Sequence, residues 1–324
     1  MNITNITKMK AIIDDADIFI FTSHIDPDCD GLGGSLGLML AFRQLGKKTY
    51  TVLCDKFSSK YSWLPHSDEI LYDFPKDLPK DKKTVLFTVD APNIPRLGFD
   101  ESIINELNPT IINLDHHTSN ARFGDLMVFD EKAASSTEVA YRLMQQLDLK
   151  LDTSISTLLY TGLITDTGRF RFSNTRSESF ECAQHFLRSG AKHNLIIKKL
   201  FEEKPFEKLL LEQKVLSTLQ NDNGIAWLKC TKKMMEETNC SDTEEFVNKL
   251  TEVSGIEISL FFKEASESST KISLRARGNA DVNQIASVFG GGGHAKAAGA
   301  KIDLCLDEAI KKVVNECKKS LGHN

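Results

Sequence analysis

The chain has 324 residues, of which 41% are hydrophobic, and its formal net charge is -5. This length suffices for two domains with their own cores, and the negative charge argues against a broad surface for long duplex nucleic acid, which is usually strongly basic. The apolar runs are too short to span a membrane and the first residues are too polar for a signal peptide, so we expect a cytoplasmic protein without a membrane anchor. The 7 cysteines are scattered without a C-x-x-C pair, which is typical of reduced thiols.

The beginning of the chain has the pattern of a β-loop-α-β unit. Residues 8–17 suggest a short helix, and the apolar run that starts at Ile18 predicts a buried strand. Residues 32–45 then have helical spacing that stops at Gly46, and residues 49–53 predict the next strand. Such a unit is the building block of a parallel sheet.

The loop after the first strand reads HIDPDCDGLGGS and contains His24, Asp26, Asp28 and Asp30. These are metal-ligand residue types, and carboxylates so close together need either open solvent or a cation. Position twelve of the loop is Gly37 instead of the glutamate that an EF-hand requires, which argues against an EF-hand. A solvated acidic turn is the alternative to a metal site.

Two further apolar runs end on ligand-type residues. Residues 85–89 end on Asp90, and residues 110–114 end on Asp115, His116 and His117. Parallel α/β sheets open their ligand crevice at the carboxyl ends of the strands, so we expect these residues to share one site with the acidic loop. Taken alone, Asp90 is equally compatible with a helix cap.

Two helices are predicted next, over residues 136–147 and 154–165. The second is apolar enough to be buried, and it ends in TDTGRF. Asp166 would add a carboxylate to the cluster, and Arg169 is a candidate phosphate contact. The alternative is an ordinary turn at the end of a helix.

The apolar pattern loosens between Ser189 and Glu212, which indicates a domain boundary. We predict an N-terminal domain over residues 1–190, a linker helix over 191–215 and a second domain over 216–324. Three strand-like runs, at 225–230, 256–262 and 271–275, alternate with helical stretches in the second domain. The predicted class is α/β, with a parallel sheet covered by helices on both faces, a smaller α/β domain around a mixed sheet, and a cleft between them.

A glycine run follows the last predicted helix, residues 282–289. Four glycines in a row are costly to order, so a packed role needs a backbone reason. One such reason is a concavity of backbone N–H groups that binds an anion, helped by the positive charge of two nearby side chains. The candidate substrate contacts are Gly291, Gly292, Gly293, His294 and Arg275. A flexible loop is the alternative.

The motifs HIDPDCDGLGGS, VDAP, LDHHTS and TDTGRF, in this order, resemble the signature blocks of the DHH phosphoesterases. SLRARGNADV and FGGGGHAKAAG resemble the DHH-associated C-terminal domain, which binds substrate. Two positions depart from the usual pattern, Asp26 where relatives often have Asn and Ala276 where Ser is expected. The resemblance covers nearly the whole chain, and it is strongest to the bifunctional nanoRNase/pAp phosphatases, or oligoribonucleases.

The resemblance implies a two-metal site. One ion would be held by His24, Asp28 and Asp90, and Asp90 would bridge to a second ion. The second ion's ligands would be Asp30, Asp90, His116 and Asp166. The ions would be two Mn²⁺, since mixed imidazole and carboxylate ligands favour manganese over magnesium, with Mg²⁺ or Co²⁺ as possible substitutes.

Two further residues are predicted to be catalytic together with Asp90. Asp115 would orient an imidazole. His117 would contact the scissile phosphate or protonate the leaving oxygen.

The implied function is hydrolysis of very short oligonucleotides, such as nanoRNA or pApA, to mononucleotides, and of pAp to AMP. The first alternative is a cyclic dinucleotide phosphodiesterase acting on c-di-AMP. A nucleotide-binding sensor without turnover and an inorganic pyrophosphatase are the remaining alternatives. A homodimer is compatible with the resemblance.

Overall fold

The computed structural model describes residues 2–3, 6–76, 78–79 and 81–322. The chain divides into two compact units, the first ending at Glu203 and the second beginning at Lys204. Within the described residues, no helix combines the length and the apolar character needed to cross a bilayer.

The first unit is built on one sheet. Its strands are β1 Asn2–Ile3, β2 Ile18–Thr22, β3 Lys48–Thr51, β4 Thr84–Val89, β5 Thr110–Asp115 and β6 Leu126–Phe129. Its helices are α1 Ile6–Asp15, α2 Cys29–Arg43, α3 Glu101–Leu107, α4 Ser136–Gln146, α5 Thr153–Asp166, α6 Ser177–Arg188 and α7 His193–Ile197, the last continued by a π-helical turn, Lys198–Glu202.

The strand order is β1-β6-β5-β4-β2-β3, and all neighbours are parallel except the short β1. The predicted parallel sheet is confirmed. Every residue of β2 and β4 is buried, because helices cover both faces. On one face Phe21 and Phe87 stack at 5.2 Å and pack against Phe42 of α2. On the other face Ile20 belongs to a cluster with Ile104 of α3.

Helix α2 begins three residues earlier than the pattern predicts. Asp28 is its N-cap, and the Asp28 Oδ1 atom accepts hydrogen bonds from the amides of Asp30 at 2.9 Å and Gly31 at 3.2 Å. This cap starts the helix before the glycines. Asp30 therefore lies in the buried first turn of α2 instead of in an open loop.

The second unit contains a mixed sheet, as predicted. Its strands are β7 Gln220–Asp222, β8 Ile225–Cys230, β9 Ile258–Ser266, β10 Ser269–Ala276, β11 Gly292–His294 and β12 Ala297–Ile302, in the order β11-β12-β10-β9-β8-β7. Among the described strands of this unit, only β8 and β9 form a parallel pair. The helices are α8 Phe206–Leu216, α9 Lys232–Thr238, α10 Phe246–Leu250, α11 Val282–Val288 and α12 Leu306–Ser320.

The glycine run forms part of a hairpin. Gly292 pairs with Gly299 and Gly293 with Ala298, so β11 is a short antiparallel strand at the edge of the sheet. A Cβ on Gly291 would lie 2.1 Å from the Gly299 carbonyl oxygen, and Gly293 has a φ of 148°. Glycine is required here so that the two backbones can approach closely.

Candidate active site

Three parallel strands end at the same edge of the first unit's sheet. β4 lies between β2 and β5, and Val89 at the end of β4 is paired with Leu114 of β5. The amide of Asp90 then donates to the Leu114 carbonyl oxygen at 2.9 Å, which extends this ladder by one residue. The polar residues that follow the strands are therefore neighbours in space.

His24, Asp28 and Asp90 form one group of possible metal ligands, with one donor atom from each within 4.8 Å of the others. The His24 Nε2 atom lies 3.4 Å from Asp90 Oδ2 and 3.9 Å from Asp28 Oδ1. The other ring nitrogen, Nδ1, is 2.7 Å from the Ile25 carbonyl oxygen and donates to it. This bond directs Nε2 at the carboxylates, as in metal-ligating histidines.

Asp30, His116 and Asp166 form a second group within the same 4.8 Å limit. The His116 Nε2 atom lies 3.9 Å from Asp30 Oδ2 and 3.4 Å from Asp166 Oδ2. Its Nδ1 atom is 3.2 Å from the Ala133 carbonyl oxygen, so His116 also presents Nε2 to the carboxylates.

Asp90 lies between the two groups and faces both. Its Oδ2 atom is 3.4 Å from His24 Nε2, and its Oδ1 atom is 3.6 Å from His116 Nε2. One carboxylate thus offers a separate oxygen to each group, which is the arrangement of a ligand shared by two cations.

The charges at this edge are strongly coupled. Burial, followed by repulsion from Asp90 and Asp28, raises the pKa of Asp30 well above its ordinary value. Burial alone would lower the pKa of His24, but its hydrogen bond to Asp90 and the charges of Asp90 and Asp28 raise it to about 9. Burial alone would raise the pKa of Asp90, yet the hydrogen bond from His24 and the nearby imidazolium charges lower it.

Asp166 completes this pattern. Although 28% of its side chain is exposed, burial of the carboxyl and repulsion from Asp30, Asp28 and Asp90 raise its pKa well above the ordinary value. Carboxylates crowded in this way need protons or cations to offset their charge. A mixed imidazole and carboxylate set fits divalent transition metals, so the residues present fit a metal centre.

The start of α4 holds the carboxylates in place. Asp30 Oδ2 accepts from the Ser136 amide at 2.6 Å, and Asp30 Oδ1 accepts from the Thr137 amide at 2.9 Å and the Thr137 hydroxyl at 2.8 Å. The Ser136 hydroxyl donates to Asp90 Oδ1 at 2.9 Å. Ser136 and Thr137 were not singled out from the sequence, although the Ser-Ser-Thr run at the start of the predicted helix is a recognisable anchoring signal.

A buried polar network holds His117. Its Nδ1–H donates to Asp115 Oδ1 at 2.7 Å, and Asp115 Oδ2 accepts from Asn120 Nδ2 at 2.6 Å. Asn120 also donates to Asn113 Oδ1 at 2.8 Å. His117 Nδ1 is 3.5 Å from Asp90 Oδ1, which places this ring beside the shared carboxylate. Asn113 and Asn120 were not singled out from the sequence.

The remaining predicted contacts lie in two places. Arg169 is exposed in the loop after α5, with its guanidinium carbon 4.7 Å from the centre of the Phe201 ring. In the second unit, Arg275 and His294 both pair with Ala297, one on each side of β12. Arg275 is anchored by bonds from Nε to Asn248 Oδ1 at 3.2 Å and from Nη1 to the Leu274 carbonyl oxygen at 3.0 Å.

The chain matches two known domain families. Residues 17–163 match "DHH family, N-terminal domain", and residues 229–320 match "DHHA1 domain". A bifunctional oligoribonuclease and PAP phosphatase NrnA of Thermus thermophilus is 34% identical over 320 residues, covering 97% of this chain and 92% of that protein. The cyclic-di-AMP phosphodiesterase GdpP of Bacillus subtilis is 23% identical, covering 94% of this chain and 48% of that protein.

The architecture also matches a solved structure. The crystal structure of an exopolyphosphatase-related protein from Bacteroides fragilis superimposes with a TM-score of 0.89 and 26% identity, covering 97% of this chain and 95% of that one. Because both chains are covered almost entirely, the similarity extends through both units of the fold.

Proposed function

The chain belongs to the DHH family of phosphoesterases and is a hydrolase of phosphodiester or phosphate bonds; on this premise, we propose that it cleaves very short oligonucleotides to mononucleotides and converts pAp to AMP. The similarity to bifunctional oligoribonuclease and PAP phosphatase proteins over 97% of the chain supports this substrate class.

One observation carries the proposal. The two oxygens of Asp90 face two different ligand groups, at 3.4 Å from His24 Nε2 and 3.6 Å from His116 Nε2. His24 and Asp28 with Asp90 would hold one Mn²⁺, and Asp30, His116 and Asp166 with Asp90 would hold the other. When bound, such a pair would neutralise phosphoryl oxygens and lower the pKa of a water molecule. A hydroxide would then be available at neutral pH to attack the phosphate ester.

His117 is the proposed acid. Burial alone would lower its pKa, but the hydrogen bond to Asp115 and the charges of Asp90 and Asp115 raise it to about 9. Without a bound cation the ring is therefore protonated near neutral pH, and Asp115 holds the Nδ1–H. The Nε2–H can then neutralise a phosphoryl oxygen or donate its proton to the departing ribose oxygen.

The second unit supplies the proposed nucleotide-end contacts. Arg275 lines a cavity of about 290 Å³ together with Lys263, Lys271, Glu244 and Glu245. The three cationic side chains outnumber the two carboxylates, and Arg275 is the proposed contact to a phosphate. The edge hairpin that carries Gly291, Gly292, Gly293 and His294 would add backbone N–H groups and an imidazole, and Arg169 is the proposed contact in the first unit.

A c-di-AMP phosphodiesterase is the second candidate, because the similarity to GdpP extends over 94% of the chain. Both activities use the same metal chemistry, so they differ only in how the rest of the substrate is held.

Turnover of pAp, pApA, c-di-AMP, a five-nucleotide RNA and pyrophosphate with Mn²⁺ would test the proposal. We expect AMP from pAp and pApA, mononucleotides from the RNA, and no phosphate from pyrophosphate. An Asp90→Asn preparation provides the background from contaminating nucleases. Faster turnover of c-di-AMP than of pApA would favour the second candidate, and hydrolysis of pyrophosphate alone would overturn both.

A further inference from the structure

We propose that the exposed rings of Phe172 and Phe180 form a platform on which a nucleobase of the substrate stacks. The proposal rests on the proposed function and deepens it, because it assigns recognition of the base to the first unit. Phe172 belongs to the loop after α5, residues 167–174, and Phe180 to the first turn of α6.

This loop is tied to a proposed metal ligand. Asp166 is the last residue of α5, and the Asn174 Nδ2 atom donates to the Asp166 carbonyl oxygen at 3.0 Å, which closes the loop on its own start. The Phe172 amide donates to the Thr167 carbonyl oxygen at 3.0 Å. The outer edge of the Phe172 ring lies against Gly168, where a Cβ would be only 2.4 Å from Phe172 Cζ. The ring is thus packed on the backbone next to Asp166.

Both rings are exposed, although phenylalanine is usually buried. Phe172 is 43% exposed and Phe180 is 55% exposed. Phe180 has one face stacked on Phe170, with ring centres 4.9 Å apart and planes at 24°. Phe170 in turn packs against the core of the unit. A supported ring with its remaining surface in solvent is suited to stacking with a flat apolar partner.

The backbone of the loop adopts an unusual conformation. Arg169 and Phe170 are consecutive non-glycine residues with φ values of 64° and 62°. Such left-handed residues cost free energy and are retained where the surroundings require them, often at binding sites. Here they let Phe170 reach the core while Phe172 returns to Gly168.

The charges of the loop favour a nucleotide over an apolar protein partner. Arginine and phenylalanine alternate over residues 169–172, and both Arg169 and Arg171 are exposed. Arg169 stacks over Phe201, and Arg171 Nε donates to the Gly168 carbonyl oxygen at 3.1 Å. Aromatic rings among cationic side chains are the usual means of binding short single-stranded nucleic acid, because rings stack with bases and cations attract phosphates.

The platform can be tested with a 5′-phosphorylated dinucleotide that carries the fluorescent base 2-aminopurine. Its fluorescence would be measured after rapid mixing with the wild-type protein and Mn²⁺. We expect stacking to quench the fluorescence, and Phe172→Ala to weaken binding on the order of tenfold and to reduce the quenching. Phe172→Trp should restore both. Leu187→Ala, which removes a side chain 44% exposed on the same helix as Phe180, is the matched control and should behave as wild type.

The same dinucleotide without the 2-aminopurine base separates stacking from phosphate binding. We expect the wild type and Phe172→Ala to bind this abasic dinucleotide with equal affinity. The platform would be overturned if Phe172→Ala, Phe180→Ala and the wild type bound the 2-aminopurine dinucleotide with equal affinity and quenched it equally. It would also be overturned if the wild type did not bind this dinucleotide. If the protein hydrolyses pApA but neither substitution changes affinity or quenching, the platform is rejected and the proposed function is retained. If both substitutions reduce quenching but the wild type turns over none of the nucleotides, the proposed function is rejected and the platform is retained.

Discussion

Asp90 combines an unusual backbone with a central side chain. Its φ of 59° is in the left-handed region, and the residue is only 3% exposed, with its carboxylate between His24 and His116. Asparagine tolerates this backbone better than most residues do, so Asp90→Asn keeps the shape while it removes the charge.

We predict that Asp90→Asn leaves the chain folded and reduces hydrolysis by more than the roughly 10- to 100-fold that loss of an outer-shell partner costs. The reason is that one substitution weakens both proposed metal groups. Turnover of pApA over a range of Mn²⁺ concentrations would measure the loss. Asp26→Asn is the matched control, because Asp26 lies in the loop after β2 at the same edge of the sheet, also has a positive φ of 53°, and belongs to none of the possible metal-ligand groups. Near-normal turnover by Asp90→Asn would contradict the two-metal site.

Asn120 acts through its neighbours. It is 8% exposed and donates to Asp115, which in turn holds His117. Without this bond, one oxygen of Asp115 loses its partner and the carboxylate is less firmly oriented.

We therefore predict that Asn120→Ala lowers kcat by roughly 10- to 100-fold. The pKa of His117, raised to about 9 mainly by its bond to Asp115 against the effect of burial, should fall. Because the proposed acid, His117, would act in its protonated form, which exists below its pKa, the alkaline limb of the pH–rate profile should move to lower pH. Asn105→Ala on exposed α3 is the control. An unchanged alkaline limb would show that Asn120 does not act through His117.

Three helices, α2, α4 and α5, meet at the site, and their packing depends on a glycine. Gly162 lies in the middle of α5, where a Cβ would be 2.7 Å from Asp30 Oδ1 and 2.5 Å from Thr137 Cγ2. Asp30 and Thr137 belong to the contact between α2 and the start of α4. Helix α5 can therefore approach this contact only because Gly162 has no side chain.

We predict that Gly162→Ala destabilises the protein by about 1–3 kcal/mol through overpacking, despite the better helix propensity of alanine. It should also weaken activation by Mn²⁺, since Asp30 is displaced. Gly37→Ala in α2 is the matched control, because its Cβ would first meet the end of the Leu159 side chain at 3.2 Å. Denaturant unfolding and Mn²⁺ titration would measure both effects. Equal stability of Gly162→Ala and the wild type would argue against the tight contact.

On the scale of the whole molecule, the possible metal-ligand groups of the described residues all lie in the first unit; they are the two groups given above and a third, which consists of Asp90, His116 and His117. Cations that bind the folded state offset the repulsion among buried carboxylates and stabilise this unit.

We predict that Mn²⁺ at one hundred times its Kd stabilises the folded chain by about 2.7 kcal/mol relative to the protein in chelator. Scanning calorimetry would show a higher Tm. Asp90→Asn should reduce the shift. If the two units unfold separately, only one transition should move. The same Tm with chelator and with Mn²⁺ would contradict a metal centre.

The sequence by itself determined the sheet and its polar edge. Continuous apolar runs such as residues 85–89 form strands buried on both faces, and parallel strands bring their following residues to one edge. The mixed character of the second sheet was also predictable from its strand-like runs. Five other strands of the described residues were not predicted. β1, β6, β7 and β11 have at most four residues and leave little pattern, and β12 consists largely of alanine and glycine.

Only the tertiary structure decided how the edge is assembled. The bonds from Ser136 to Asp30 and Asp90 join residues 106 and 46 positions apart, and no local pattern encodes such pairings. The division of the Asp90 oxygens between two groups and the space that Gly162 leaves for Asp30 likewise depend on packing between distant segments. Local propensity acts over a few residues, whereas the exact placement of a carboxylate depends on every element that touches it.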